Sequence, residues 1–224
     1  MSDKIIGHTP VIAVEQEKYC CAVLRERAAE GWFPGLEVWE GDVREFDPSK
    51  YAGRVDCIHA GFPCQDLSCA GKGAGLDGAR SGLFFEVIRI SSVVRPRYVF
   101  LENVPAILIR GLGRVLGSLV EIGYDCRWTI LSAAEVGANH MRKRWWCLAT
   151  DSDRSMRQKQ RRSGATAEEY SAVGCGGWWS VEPAVCRVAN GVPGRVDRVK
   201  GLGNAQVPLQ SATAWVMLGG PLGF

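Results

Sequence analysis

Three observations predict a doubly wound α/β fold for this 224-residue chain. Short apolar runs alternate with stretches of helical spacing from residue 11 to residue 149. The run Tyr98 to Leu101 is almost wholly apolar, which suits a strand covered on both faces. Carboxylates and a cysteine fall just past the carboxyl ends of predicted strands, the edge where open α/β sheets gather ligands and chemistry.

Each element has its own justification. Val11 to Val14 is an apolar run that ends on Glu15, and Gln16 to Glu30 carries Tyr19, Ala22, Val23 and Ala29 at helical spacing. Leu36 to Trp39 repeats the arrangement, followed by Gly41, Asp42 and Val43. A carboxylate at such a tip suits a ribose hydroxyl pair, and an isolated Glu15 also suits solvent beside a helix start. Asp42 suits an adenine amino group or the cap of a turn. Val55 to Ala60 predicts the next strand, and Leu83 to Val94 a helix broken by Arg95-Pro96-Arg97. Tyr98 to Leu101 follows as a strand, with Glu102 at the same sheet edge as the end of the preceding one. A helix over Leu112 to Ile122, strands over Cys126 to Ser132 and Trp145 to Ala149, and a closing helix over Leu209 to Leu218 complete the pattern.

Composition narrows the setting. With 46% apolar residues, eight Trp and 23% charged residues, the chain is suited to one ordinary core, not to disorder. The formal net charge of +3 gives little whole-molecule attraction for nucleic acid. Nine scattered cysteines without C-x-x-C spacing read as reduced thiols in the cytoplasm, and only three histidines (His8, His59, His140) argue against a metal site. No apolar run reaches membrane-spanning length, and no signal-peptide core opens the chain. From Asp151 onward the composition changes: Arg154, Arg157, Lys159, Arg161 and Arg162 cluster in a polar stretch suited to phosphates or to solvent.

The chemistry-bearing stretch is Gly61 to Leu83, GFPCQDLSCAGKGAGLDGARSGL. Cys64 sits beyond a strand end in a glycine-rich loop, a setting whose backbone N–H groups lower a thiol pKa. A buried structural cysteine is the alternative. Its company is Pro63-Cys64-Gln65, Ser68, Gly82-Leu83-Phe84-Phe85, and Glu102-Asn103-Val104 at the next strand end. In this order the residues resemble the cytosine-5 DNA methyltransferases of bacteria and phage. The family's Gln-x-Arg-x-Arg pattern is matched by His140-Met141-Arg142-Lys143-Arg144, with His140 standing for the glutamine. Two arginines at i and i+2 of an extended segment point the same way. Its closing Gly-Asn-x-x-x-Pro segment is matched by Gly203 to Pro208.

The resemblance implies a Rossmann-like methyltransferase sheet, S-adenosylmethionine as cofactor and double-stranded DNA as partner, in a restriction-modification type of setting. It implies catalytic roles for Cys64, Glu102, Arg142 and Arg144. It places Glu15, Asp42, Val43, Pro63, Leu83 and Asn204 at the cofactor, and Gln65, Ser68 and Asn103 at the substrate. The expected organisation is a catalytic domain over 1–150, a small irregular target-recognition region over 151–199, and a returning segment over 200–224. The family's first signature, a Phe-x-Gly-x-Gly loop after the first strand, is absent. A βαβ unit takes roughly thirty residues, and ten precede Val11. The sheet is therefore expected to lack its first strand-helix unit and to leave two part-sheets, with the unit supplied by a missing N-terminal segment or a companion chain. Two other readings are a catalytically inactive remnant that binds DNA or a partner, and a cysteine hydrolase pairing Cys64 with His59 or His140.

Overall fold

The computed structural model describes residues 2–63, 82–153 and 205–223. Cys64, Gln65, Ser68 and Asn204 lie outside the described residues, as do the basic cluster of 154–162 and nearly all of the expected target-recognition region, 154–199.

In chain order the elements are α1 (Ser2–Ile6), β1 (Ile12–Glu15), α2 (Lys18–Ala29), β2 (Glu37–Glu40), β3 (Cys57–Gly61), α3 (Leu83–Val94), β4 (Tyr98–Asn103), α4 (Ile107–Arg110), α5 (Leu112–Glu121), β5 (Tyr124–Leu131), β6 (Arg144–Asp151) and α6 (Pro208–Met217). Every strand and long helix expected within the described residues is present, with ends shifted by at most two residues. The short helices α1 and α4 were not expected. Neither is long enough to show a 3.6-residue period in sequence.

The described strands form two sheets. β1 and β2 pair in parallel, and a four-stranded sheet runs β3-β4-β6-β5. β3 and β4 are parallel, whereas β6 lies antiparallel between β4 and β5. Among the described strands none joins β1 to β3. Helix α3 links the two: Arg89 donates to the Val43 and Phe46 carbonyls at 3.0 Å each, and Gly53 N–H donates to Val94 at 3.0 Å.

Period-2 alternation explains why β4 and β6 read as continuous apolar runs. Val99, Leu101, Trp145, Cys147 and Ala149 face one core, with Phe84 of α3 and Val115 and Leu119 of α5. Tyr98, Phe100, Trp146 and Leu148 face a second core, with Ile6 of α1 and Ala212, Ala214 and Trp215 of α6. Both faces are therefore covered by helices. Each large side chain buried this way contributes on the order of 1.5–3 kcal/mol. The α3 helix ends at Arg95, which takes a left-handed φ of 51°. Its guanidinium compensates by bonding Ile122 O at 2.6 Å and Asp151 at 3.0 Å.

Candidate active site

The same alternation decides which side chains meet at the carboxyl end of the four-stranded sheet. Gly61, the last residue of β3, is in register with Glu102 of β4. Glu102 and Arg144 project to the face covered by α6, and Arg144 Nε donates to Glu102 Oε1 at 2.6 Å. Both side chains are mostly buried, at 16% and 18% exposure. Gly61 is compatible with this closeness because a Cβ there would lie 3.2 Å from Glu102 Oε2.

Two opposing effects act on the Glu102 carboxyl. Burial raises its pKa, while the charges of Arg144 and Arg142 and the Arg144 hydrogen bond pull it down; burial prevails. Arg142 is also half-buried, and its pKa is lowered first by desolvation and then by Arg144. Two cations and one carboxylate thus share a partly dry corner, a setting that binds a polar planar group through charge-assisted hydrogen bonds.

Arg142 is held from the closing segment. Its guanidinium donates to Ala205 O at 2.9 Å, and its own carbonyl accepts from Gln210 Nε2 at 2.7 Å and from Ala133 N–H at 3.2 Å. Gln210 is fully buried and also donates to Leu131 O at 2.8 Å. Sequence reading missed Gln210. The available signal was an amide inside an otherwise apolar helix, where a buried polar group requires partners.

Asn103 projects to the face opposite Glu102. It is 4% exposed, and its amide is committed to backbone: Nδ2 donates to Phe62 O at 3.2 Å, and Oδ1 accepts from Val104 N–H at 2.8 Å. Asn103, expected at the substrate, is engaged here with the backbone on either side of it. Its amide ties Phe62, two residues before Cys64, to the end of β4.

The expected cofactor residues lie at the matching edge of the other sheet. Glu15 ends β1 in register with Glu40, and its Oε1 accepts from Glu17 N–H at 2.8 Å. Asp42 caps the short helical turn Val43–Glu45 by accepting from Arg44 N–H at 3.0 Å, and it pairs with the Arg44 guanidinium. These hydrogen bonds bring its pKa to about 2. The turn-capping role is therefore realised, and both carboxylate oxygens are engaged by Arg44. Val43 is tied to α3 through Arg89. Leu83 opens α3 half-buried, and Pro63 is exposed beyond β3. Acceptors at the tips of adjacent parallel strands match the donors of a ribose diol and an adenine amino group, so the residues present fit an adenosyl group.

A family model for C-5 cytosine-specific DNA methylases matches residues 4–175. The chain belongs to this family. Among curated methylases, the type II methyltransferase M.CviJI of Paramecium bursaria Chlorella virus IL3A is 42% identical over 113 residues, covering 50% of this chain and 31% of that protein. M2.BsuMI of Bacillus subtilis is 36% identical over 152 residues, covering 64% of this chain and 37% of its own. The chain thus spans about a third of each of these relatives. The structure of S. pombe Dnmt2 methyltransferase has a TM-score of 0.55 at 18% identity, over 67% of this chain and 46% of that one. A DNA modification methyltransferase encoded within an E. coli prophage also gives 0.55, at 22% identity, over 69% and 43%. At these identities the two structures establish the methyltransferase fold. Among the described residues no helix is long and apolar enough to cross a membrane.

Proposed function

We propose that this chain carries the catalytic half of a DNA cytosine-5 methyltransferase, with double-stranded DNA as substrate. The observation that carries the reading is the Glu102–Arg144 pair at 2.6 Å, facing the strand end that leads through Phe62 and Pro63 into Cys64. Cytosine carbon-5 is too weakly nucleophilic to take a methyl group directly. In the proposed mechanism the Cys64 thiolate forms a bond to ring carbon-6, and the displaced π electrons make carbon-5 the nucleophile. Glu102 in its protonated form donates to ring nitrogen-3 and stabilises the added state; the burial that raises its pKa suits that role. Arg142 and Arg144 orient the base through its exocyclic oxygen and the adjoining phosphate. The target base leaves the duplex stack to reach this corner. Bound S-adenosylmethionine would supply the methyl group, held by Glu15 at the ribose, Asp42 and Val43 at the adenine, and Pro63, Leu83 and Asn204. Loss of the carbon-5 proton to solvent then restores the ring double bond and expels the Cys64 thiolate.

In the same reading a further strand, from this protein or a companion chain, joins β1 to β3, which no described strand links. If the isolated 224-residue chain binds S-adenosylmethionine with ordinary micromolar affinity, that part of the reading is wrong. The test of the chemistry is Cys64→Ser, assayed with whatever segment restores cofactor binding. Methyl transfer is expected to vanish while DNA binding persists, and methylation by the variant would remove Cys64 from the role.

A further inference from the structure

A second cluster of reactive side chains lies on the α6-covered face of β3, away from the Glu102 corner. Cys57 and His59 are two residues apart on this strand and therefore share a face. His8, just after α1, comes against them. One donor atom from each of His8, Cys57 and His59 lies within 4.8 Å of the other two. His8 Nδ1 and His59 Nε2 are 3.2 Å apart.

We propose that His8, Cys57 and His59 form a binding site for a zinc-class divalent cation, which pins the segment after α1 to the edge of β3. Four points support this. First, a tetrahedral zinc ion with Zn–N bonds of about 2.0–2.1 Å holds two nitrogens roughly 3.3–3.4 Å apart, close to the spacing found. Second, two imidazoles and a thiol form a borderline-soft donor set that selects zinc or cobalt over magnesium or calcium. Third, Asp3 Oδ1 stands 3.4 Å from His59 Nδ1. A carboxylate there holds the proton on Nδ1 and leaves the Nε2 lone pair toward His8, the outer-shell arrangement that metal-bound histidines use. Fourth, the His59 side chain is 27% exposed, which leaves a path of entry.

The surroundings make the cluster rigid. Trp215 of α6 packs edge-on against His8 at 4.7 Å and stacks on His59 at 6.0 Å. Cys57 is the group that must lose a proton. Cation binding would replace that proton with a metal–sulfur bond. Three protein ligands leave a fourth position for water or for Asp3 after a small movement. The low histidine count, which argues against a metal in sequence, is offset because the fold collects two of the three at one point.

Cobalt(II) titration of the purified full chain tests this, because a thiolate–cobalt bond gives a near-ultraviolet charge-transfer band. One equivalent is expected to bind with that band and with the strong visible absorption of tetrahedral cobalt, and zinc is expected to displace it. Cys57→Ser should remove the band, and His8→Ala should weaken binding. The conservative change Asp3→Asn at this half-buried position should leave the fold intact and lower affinity about 10–100-fold. An undiminished band in Cys57→Ser would assign the metal to another of the nine cysteines and overturn the proposal. So would the absence of any band at micromolar cobalt.

Discussion

Asn103→Leu is the sharpest test of how the end of β4 holds the loop entry. Leucine keeps the branching of asparagine but removes both polar atoms. The Phe62 carbonyl then loses its 3.2 Å donor, and the Val104 N–H loses its 2.8 Å acceptor. An unsatisfied buried group costs about 1–3 kcal/mol. Val104 is only half-buried and can recruit water, so its share falls at the low end. The added apolar surface returns about 1–2 kcal/mol, which leaves a net loss of about 1–2 kcal/mol. Urea unfolding reads this as a midpoint lowered by about 0.5–1 M with an unchanged slope. Asn103→Asp supplies a second arm. It keeps the acceptor for Val104 but sets a carboxylate oxygen against the Phe62 carbonyl, which raises the new carboxyl's pKa. Below its unfolded pKa the protonated acid donates and the loss is small; stability is then lost as pH rises through the folded value. A loss under about 0.5 kcal/mol for Asn103→Leu, or a pH-independent loss for Asn103→Asp, would refute the positioning role.

Other consequences follow from the same geometry. Burial holds the Glu102 pKa above its ordinary value, so the native state binds the proton more tightly than the unfolded chain. Its contribution to stability is therefore fully present below the ordinary glutamate pKa and is lost as pH rises toward the folded value; Glu102→Gln should flatten that part of the pH–stability curve. Arg144→Leu leaves Glu102 without its 2.6 Å partner in a mostly buried position and should cost roughly 3 kcal/mol by thermal or urea unfolding. A cost near zero would mean that water already shields the pair. Arg44→Gln should lift the Asp42 carboxyl from about 2 toward the ordinary aspartate range in a carbon-detected NMR titration. Trp215→Ala removes a fully buried ring shared by α6, β4 and the His8–His59 pair, and should cost about 3–5 kcal/mol.

What sequence alone determined was local and periodic. Apolar runs at Tyr98 to Leu101 and Trp145 to Ala149 identified strands buried on both faces, and spacing over Leu83 to Val94 identified α3 at its observed bounds. The Glu-Asn-Val and Arg-x-Arg signals identified the family, because chemistry restricts which residue types stand at a strand end. Tertiary structure decided the rest. Strand order is set by which edges pair, so sequence spacing did not reveal that β6 runs antiparallel between β4 and β5, bringing Arg144 to Glu102. The side of the sheet taken by Asn103 follows from alternation, but its bond to Phe62 depends on β3 lying alongside β4. Gln210 and Arg142 are 68 residues apart, as His8 and His59 are 51 apart. Hydrophobic periodicity reports only on neighbours within a few positions, so pairs at such separations become visible only once the chain has folded.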